Sequence, residues 1–326
     1  MTLHCYKATS SFCTLLLLSI ASTTVSAGTT LEAVASNNAT TGDYIKTATG
    51  CQVYRPPLSY GNRVTWSGDC QSGYAQGKGV AKWYNGKQYT SRYQGIFVDG
   101  KLQGKGRIDW EIITNCDFDY YEGELKDSDV MGRGIFHYTD GNIYDGIFTP
   151  RGQPAKAVFT WGVGSDYHSD RYEGEFLNGK RQGKGTYTWG EYSQWAGDVY
   201  EGEYRNGLHH GFGIYTEPNG SRYEGDFDKG LQTGEGVSTR ANGIRYAGSF
   251  QDGKAWGYGH LTAPRTAYDD DKRAINGVWQ DDTFVEKGWF YDNKFRFRCD
   301  STADCMQVAK RDATKRQYLD FLNDAP

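Results

Sequence analysis

The amino-acid sequence predicts an all-β protein made of tandem β-hairpins, and three features point there. A short unit, clearest at residues 172–189, recurs along most of the chain. Its first half alternates aromatic or glycine residues with glutamates at period two, the periodicity of a β-strand. Asn178-Gly179 then supplies a dipeptide that tolerates positive φ at both central positions of a tight hairpin turn. Because one hairpin is at best marginally stable in water, the units are expected to pack against one another.

The composition indicates what such a core contains. Of 326 residues, 15% are aromatic and 43 are glycine, while Leu, Ile and Val are scarce, so Tyr, Phe and Trp must supply the buried surface. Glycine at this frequency, without a strict three-residue period, excludes collagen. The formal net charge of −4 provides no basic footprint for nucleic acid and no polybasic patch for an anionic membrane.

The repeats are counted by aligning the Tyr-x-Gly of each first strand. Successive tyrosines are separated by 23 or 28 residues, which a period of 23 with a five-residue insertion in three intervals explains. The residues predicted to hold the repeat together are the pairs Tyr93 and Gly95, Tyr121 and Gly123, Tyr144 and Gly146, Tyr172 and Gly174, Tyr200 and Gly202, Tyr223 and Gly225, and Tyr246 and Gly248. The glycine leaves a gap on the strand face, which is expected to admit an aromatic ring from an adjacent strand.

The insertions lengthen the connections between hairpins, at residues 111–119, 162–170 and 190–198. Repeat scaffolds often carry variable loops on the functional side, so these loops are candidates for partner contact; tolerated surface insertion is the alternative. Degenerate units at 66–83 and 275–279 flank the run. In the unit at Tyr144, Pro154-Ala155-Lys156 replaces the usual Gly-x-Gly and is expected to distort the hairpin.

The N-terminal residues have the pattern of a secretory signal peptide. Lys7 precedes an apolar stretch from Phe12 to Ala21, and Val25-Ser26-Ala27 matches a cleavage site. About ten apolar residues are too few to span roughly 30 Å of hydrocarbon. We therefore expect residues 1–27 to be removed and the mature chain to be secreted or periplasmic. Residues 28–50, rich in Thr, Ala, Ser and Asn, are predicted to be a disordered tether, and residues 51–298 the repeat array.

Five cysteines follow the predicted signal, and export favours disulfides over metal ligands or catalytic thiols. Nearest-neighbour pairing joins Cys51 to Cys70 and Cys299 to Cys305, and leaves Cys116 as a buried thiol or an intermolecular link. The close Cys or Cys/His pairs of a zinc site do not occur. Residues 299–326 begin with a helix N-cap pattern at 301–304 and are predicted to form a helical cap over the last strand edge.

The run Tyr-Glu-Gly-Glu-Phe, Asn-Gly and Gly-x-Gly, seen in residues 172–185 and again from Tyr200 and Tyr223, resembles the MORN repeat. The resemblance extends from about Trp66 to Trp279 and implies an elongated, twisted, single-layer antiparallel sheet with one hairpin per repeat. It also implies a non-catalytic module for membrane-lipid contact, protein docking or self-association. The exported, cysteine-bearing form resembles a bacterial periplasmic branch of the family.

A second aromatic series lies at the ends of the second strands, and begins at Trp83. These rings either complete the core, which the shortage of aliphatic residues favours, or form a surface that stacks on sugars or an apolar partner segment. The predicted binding surface consists of Trp110, Tyr138, Trp161 and Trp189.

No catalytic, cofactor or metal site is predicted. One glutamate position recurs in the repeats and is predicted to lie on the solvated face of the sheet, because a repeated position does not supply the unique carboxylate pair of a glycosidase. These residues are Glu122, Glu173, Glu201 and Glu224. His209-His210 is assigned to a turn, and Asp269-Asp270-Asp271 to an acidic loop rather than a cation site. The sequence therefore predicts an exported, non-enzymatic scaffold that binds a protein partner or itself. Binding of lipid headgroups or envelope glycan is the alternative, and a hydrolase a remote one.

Overall fold

A computed structural model describes residues 43–56, 59, 61–111, 118–150, 152–263, 273–280, 283–291 and 296–299, and the side chains of residues 43–262 within these ranges and of residues 277–280. Every regular element in them is a β-strand, which confirms the predicted all-β fold. The strands of the first part are β1 Tyr44–Lys46, β2 Gln52–Tyr54, β3 Arg63–Trp66, β4 Asp69–Gln71, β5 Tyr74–Asn85, β6 Gln88–Val98, β7 Lys101–Trp110, β8 Phe118–Lys126, β9 Asp129–Tyr138 and β10 Ile143–Thr149. Those of the second part are β11 Gln153–Thr160, β12 Arg171–Leu177, β13 Lys180–Thr188, β14 Val199–Arg205, β15 Leu208–Thr216, β16 Arg222–Asp228, β17 Leu231–Thr239, β18 Arg245–Gln251, β19 Lys254–Ala263, β20 Arg273–Gln280, β21 Thr283–Tyr291 and β22 Arg296–Cys299.

The chain forms two compact units that divide at Gln153 and Pro154, with residues 164–166 grouped with the first. In the first unit β5 to β10 pair antiparallel in chain order, and β3 and β4 pair with β5. In the second unit β11 to β22 also pair antiparallel in chain order. From β5 to β10 in the first unit and from β11 to β22 in the second, strands that are adjacent along the chain are thus adjacent in an open sheet, whereas β2, β3 and β4 each pair with β5. The boundary falls at the irregular repeat, where Ala157 stands opposite Gly174 in the place of the second glycine. Residues 155–157 therefore replace Gly-x-Gly, one position later than the predicted 154–156.

The hairpin turns have the predicted geometry. Asn178 and Gly179 both have positive φ, 52° and 73°, as do Asn206 and Gly207 at 53° and 89°. Two successive positive φ values define the turn whose twist matches that of paired strands. Lys229 occupies the first turn position in a later hairpin at φ 50°, a conformation that favours Asn, Asp or Gly.

In five repeats the tyrosine covers two glycines, one on its own strand and one on the next; these tyrosines are Tyr121, Tyr172, Tyr200, Tyr223 and Tyr246. A Cβ built on Gly202 would lie 2.6 Å from both Gly213 Cα and the Tyr200 hydroxyl, and one on Gly213 also meets the Tyr200 ring. Tyr200 Oη then donates to the carbonyl of Glu203 at 3.0 Å. The gap at the strand glycine was predicted to admit a ring from an adjacent strand, and this is wrong: the ring belongs to the residue two positions earlier. The alternating side chains place that ring directly above the glycine.

The first glycine of each Gly-x-Gly forms a β-bulge. Gly183 has φ +65°, and the register shifts between Gly174 and Phe176 on the partner strand. A side chain on Gly183 would collide with the carboxylate of Glu175. In the equivalent place Glu124 accepts a hydrogen bond from the backbone N–H of Arg133 at 3.1 Å. The second glutamate of the repeat is therefore a structural residue that covers the bulge.

The core of the second unit is a chain of aromatic rings on one face of the sheet. Successive rings lie 4.9–5.4 Å apart with their planes at 77–90°. This edge-to-face geometry contributes about 0.5–1.5 kcal/mol per pair beyond the area buried. In order the rings are Phe176, Tyr172, Tyr204, Tyr200, Phe227, Tyr223, Phe250, Tyr246 and Trp279.

The N-terminal end of the array differs from the prediction in one respect and agrees in another. Order begins before Cys51, because β1 lies inside the segment predicted to be a tether and pairs with β2. The predicted disulfide between Cys51 and Cys70 is present. Cys305, Cys116, the signal segment and the predicted C-terminal helix lie outside the described residues, so those predictions stay predictions.

Candidate functional site

The candidate site is the edge of the second unit where each second strand connects to the next first strand, which we call the loop edge. It consists of residues 161–163, 167–170, 189–198, 217–221 and 240–244. The first two connections are two of the predicted insertions, and the last two are short turns. The third predicted insertion, 111–119, lies largely outside the described residues.

The two long loops are copies of one another. Both begin Trp-Gly, place Ser three residues after that glycine, and end Asp-x-Tyr. In both, the backbone N–H of the tryptophan donates to the backbone carbonyl of the closing aspartate at 3.0 Å, Trp161 to Asp170 and Trp189 to Asp198. The backbone N–H of that aspartate donates in turn to the backbone carbonyl of the aromatic residue three positions earlier, at 2.9 Å. Each loop is therefore a defined structure rather than an irregular insertion.

A buried carboxylate fixes each loop to the sheet. Asp170 is 1% exposed and accepts a hydrogen bond from the Tyr187 hydroxyl, while its other oxygen accepts one from Gly190 N at 2.8 Å. Asp198 accepts the same bond from Tyr215. Burial, reinforced by the carboxylate, raises the pKa of both phenols, so they remain donors at any physiological pH. These two aspartates were not singled out from sequence, although their repeated spacing after Trp-Gly was visible.

The fixed loops present apolar side chains to solvent. Tyr192 is 67% exposed, Trp195 40% and Val163 79%. The Tyr192 ring stacks on His168 of the preceding loop at 4.4 Å and 10°. Exposed aromatic residues on an ordered support are typical of the anchors of protein interfaces.

The predicted aromatic binding surface is divided between core and loop edge. Trp110 is only 6% exposed and packs between Phe118 and Phe136, so it belongs to the core. Tyr138 is half-buried beside Tyr144 in the first unit.

The other two members lie at the bases of the long loops. Trp161 and Trp189 are half-buried and each contacts Tyr187, at 5.3 and 4.6 Å. They support the loops, and the more exposed aromatic residues lie within the loops themselves.

The repeated first glutamate lies on the opposite, polar face, as predicted. Glu122 pairs with Arg107 at 2.6 Å, Glu173 with Arg171 at 2.6 Å, and Glu224 with Arg222. These are surface ion pairs, which contribute little to stability. The pKa of Arg107 is raised, because its bonds to Asp109 and Glu122 outweigh partial burial.

A groove of about 530 Å³ lies at the short-turn end of the loop edge. Its lining includes Tyr215, Tyr223, Gln232 and Ser238 from the aromatic face, with Glu217 and Arg240 in the flanking turns. Sequence reasoning missed this groove, because Ser238 is inconspicuous until the strand register aligns it with its neighbours.

No group of three or more His, Cys, Asp or Glu side chains within the described residues is arranged to hold a metal ion. In the same ranges no helix is long and apolar enough to cross a bilayer.

These features define a protein of tandem hairpins with structured inter-hairpin loops. The model of the MORN repeat matches seven segments, and the chain therefore carries seven MORN repeats. The match includes the predicted entry unit but not the irregular unit at Tyr144. The segments are 68–88, 93–111, 121–143, 172–194, 200–222, 223–245 and 246–265.

Among curated proteins, alsin of Mus musculus and alsin of Homo sapiens are each 32% identical over 85 residues, which cover 26% of this chain and 5% of theirs. The chain thus spans only a small part of these relatives' length. Both are mammalian, and the bacterial periplasmic origin expected above still depends on the sequence pattern alone. Among solved structures, the TCP domain of SAS-4 with a proline-rich motif of Ana2, from Drosophila melanogaster, covers 52% of this chain and 87% of its own at 11% identity and a TM-score of 0.31. That score does not establish a common fold.

Proposed function

We propose that the protein is a non-catalytic scaffold that binds a protein partner along the loop edge of its second unit. The observation that carries this is the pair of matching loops, each fixed by a buried aspartate, the second of which holds Tyr192 and Trp195 exposed. An aromatic side chain that is already ordered loses little conformational entropy on binding, so its burial contributes more to affinity.

The MORN repeats fit this role, since such repeats are associated with protein and lipid contacts rather than with chemistry. The loop edge favours protein over lipid headgroup. The exposed large side chains of the long loops are apolar or aromatic, namely Val163, Tyr192 and Trp195, and neither long loop contains a lysine or an arginine. An anionic headgroup surface would require cations there.

The test compares three proteins as affinity baits in extracts of the source organism, with the captured proteins quantified by mass spectrometry. The loop variant is Y192S/W195S. The matched control is L177S/L231S, which removes two exposed apolar residues, 59% and 50% exposed, from the hairpin-turn edge. We expect saturable partners on the wild type and the control that are lost on the loop variant, with equal melting temperatures for all three.

Capture of the same proteins by all three baits would contradict the proposal. The lipid and glycan alternatives are tested by sedimentation with phosphatidylglycerol vesicles and with insoluble envelope glycan. Saturable retention there, together with no loop-dependent protein, would replace the protein partner. Self-association is measured separately by analytical ultracentrifugation of the wild type and the loop variant.

We further propose that the scaffold acts outside the cytoplasm. The disulfide between Cys51 and Cys70 and the signal-like pattern at residues 1–27 support this, since disulfides persist in oxidising compartments. N-terminal sequencing of the native protein tests it. A mature chain that begins near Gly28 agrees with export, and a retained Met1 or Thr2 would refute it.

A further inference from the structure

A row of side chains crosses the aromatic face of the second unit. The strand registers align one residue per strand from β12 to β19, each directly opposite the next. All but one of these residues are large, and the exception is Ser238. In order they are Tyr172, Tyr187, Tyr200, Tyr215, Tyr223, Ser238, Tyr246 and Leu261.

Ser238 therefore leaves the space of one aromatic side chain unfilled, between Tyr223 and Tyr246. Protein interiors are close-packed, so a residue this much smaller than its neighbours leaves a void unless the surroundings move in. They do not, since Ser238 is half-buried and the groove of about 530 Å³ opens over it. The corresponding row of the first unit contains one small residue, Ala81, and there the surroundings close completely, because Ala81 is 0% exposed.

The polar groups of the groove indicate what can enter. The Tyr215 and Tyr223 hydroxyls are already bonded, to the Asp198 carboxylate and to the carbonyl of Asp226 at 3.0 Å, so these residues present ring carbons. The side chains of Gln232 and Ser238 have no hydrogen-bond partner among the described residues. They provide a carboxamide and a hydroxyl next to aromatic walls, a combination that suits a ring bearing one hydroxyl.

We propose that this groove receives an aromatic side chain, preferentially tyrosine, from the partner that the loop edge binds. The inference rests on the proposed function and names the anchor by which the partner is recognised. The groove and the long loops lie on the same edge of the sheet, so one extended segment is able to contact Tyr192 and Trp195 and fill the Ser238 gap.

Restoring the row tests the proposal without disrupting the fold. Ser238→Tyr introduces the residue present at Tyr187 and Tyr215, and Ser238→Leu introduces the one at Leu261. Both fill the groove, and two variants guard against either one failing to fold. The probe is N-acetyl-L-tyrosinamide, titrated against the ¹⁵N-labelled full chain by NMR. N-acetyl-L-alaninamide and N-acetylglucosamine serve as the comparison ligands.

We expect saturable amide shifts around residues 215–240 with the tyrosine amide alone, at least tenfold weaker or absent in a folded S238Y or S238L variant. Unchanged shifts with the tyrosine amide, equal shifts in the filled variants, or saturable shifts with N-acetylglucosamine instead would each overturn the inference. Its failure is distinguishable from that of the proposed function. If protein capture is lost in Y192S/W195S but unaffected by S238L, protein binding at the loop edge is supported and insertion of a partner tyrosine into the groove is refuted.

Discussion

The hydroxyl of Tyr187 donates its hydrogen to the buried carboxylate of Asp170, 17 residues earlier in the chain. The second oxygen of that carboxylate accepts the backbone N–H of Gly190, at the start of the next loop. One aspartate thus ends its own loop, holds the following hairpin and begins the loop after it. The loops of the loop edge are therefore held in place by contacts between successive hairpins.

Removing that carboxylate is expected to destabilise the second unit. In Asp170→Ala the buried Tyr187 hydroxyl and the partly buried Gly190 N–H both lose their acceptor, and an unsatisfied buried group costs about 1–3 kcal/mol. We expect a loss of about 2–4 kcal/mol in the free energy of unfolding, measured by urea denaturation. Asp166→Ala, on the exposed part of the same loop, is the control and should change it by less than about 0.5 kcal/mol. Equal effects would contradict the assigned role of Asp170.

The second prediction concerns the glycines that lie beneath the repeated tyrosine. Gly202→Val places a side chain where Gly213 Cα and the Tyr200 hydroxyl already lie, at 2.6 Å from its Cβ, so either the ring must leave or the strands must separate. We expect a loss above about 3 kcal/mol, in the range of severe core disruption. Glu201→Ala, next in sequence but on the solvated face, should cost less than about 0.5 kcal/mol. Equal melting temperatures for the two variants would show that the absence of a side chain at Gly202 is not needed for Tyr200 to pack over the strands.

Much of this fold was predictable because its determinants are local. The period of two, the Asn178-Gly179 turn and the recurrence of Tyr-x-Gly each act within a few residues, and the strands and turns follow from them. The disulfide of Cys51 and Cys70 was likewise predictable, since these are the first two cysteines after the predicted signal and nearest-neighbour pairing joins them.

The loop edge and its groove were harder to predict, because they depend on which residues the strand register places opposite one another. Nothing adjacent to Ser238 marks it as unusual. Its meaning appears only when the register places it between Tyr223 and Tyr246. The covering ring was similarly assigned to the wrong strand, because sequence spacing alone does not reveal that Tyr200 lies over its own strand's glycine. Trp110 was grouped with surface candidates by its position at a strand end, although Phe118 and Phe136 bury it.

The turn at Lys229 offers a stabilising substitution. Lys229 has φ 50°, where Asn206 serves in the preceding hairpin at φ 53°. Since Asn tolerates this left-handed conformation better than Lys, Lys229→Asn should raise the free energy of unfolding by about 0.5–1 kcal/mol. The reciprocal change Asn206→Lys should lower it by a similar amount. Urea denaturation of the two variants that shows the same sign for both would argue against the turn geometry.

The disulfide makes a prediction for the first unit. Cys51 and Cys70 close a loop of 19 residues, for which the entropic constraint on the unfolded chain corresponds to about 3 kcal/mol. The Cys51→Ser/Cys70→Ser variant should therefore unfold at lower urea concentration than the oxidised wild type. Reduced wild type should behave like the double variant. Indistinguishable transitions for all three proteins would mean that this bond does not constrain the unfolded chain.

His209 makes folding sensitive to mild acid. Its imidazole stacks on Tyr200 at 3.6 Å, and burial, with a smaller contribution from Arg181, lowers its pKa to about 3. Between about pH 6.5 and 3 the unfolded chain therefore binds a proton at this side chain that the folded chain does not, so stability falls as the pH falls through this window. Because the side chain is partly exposed, we expect a loss of about 1–2 kcal/mol between pH 7.5 and 5. His209→Gln, which introduces the residue found at position 232 of the next repeat, should remove that loss, whereas His210→Gln, whose imidazole lies 3.3 Å from Asp228, should retain it. Urea titrations of the three proteins at both pH values measure the free energy of unfolding. An identical pH dependence for wild type and His209→Gln would show that protonation of the His209 imidazole does not cause the loss of stability.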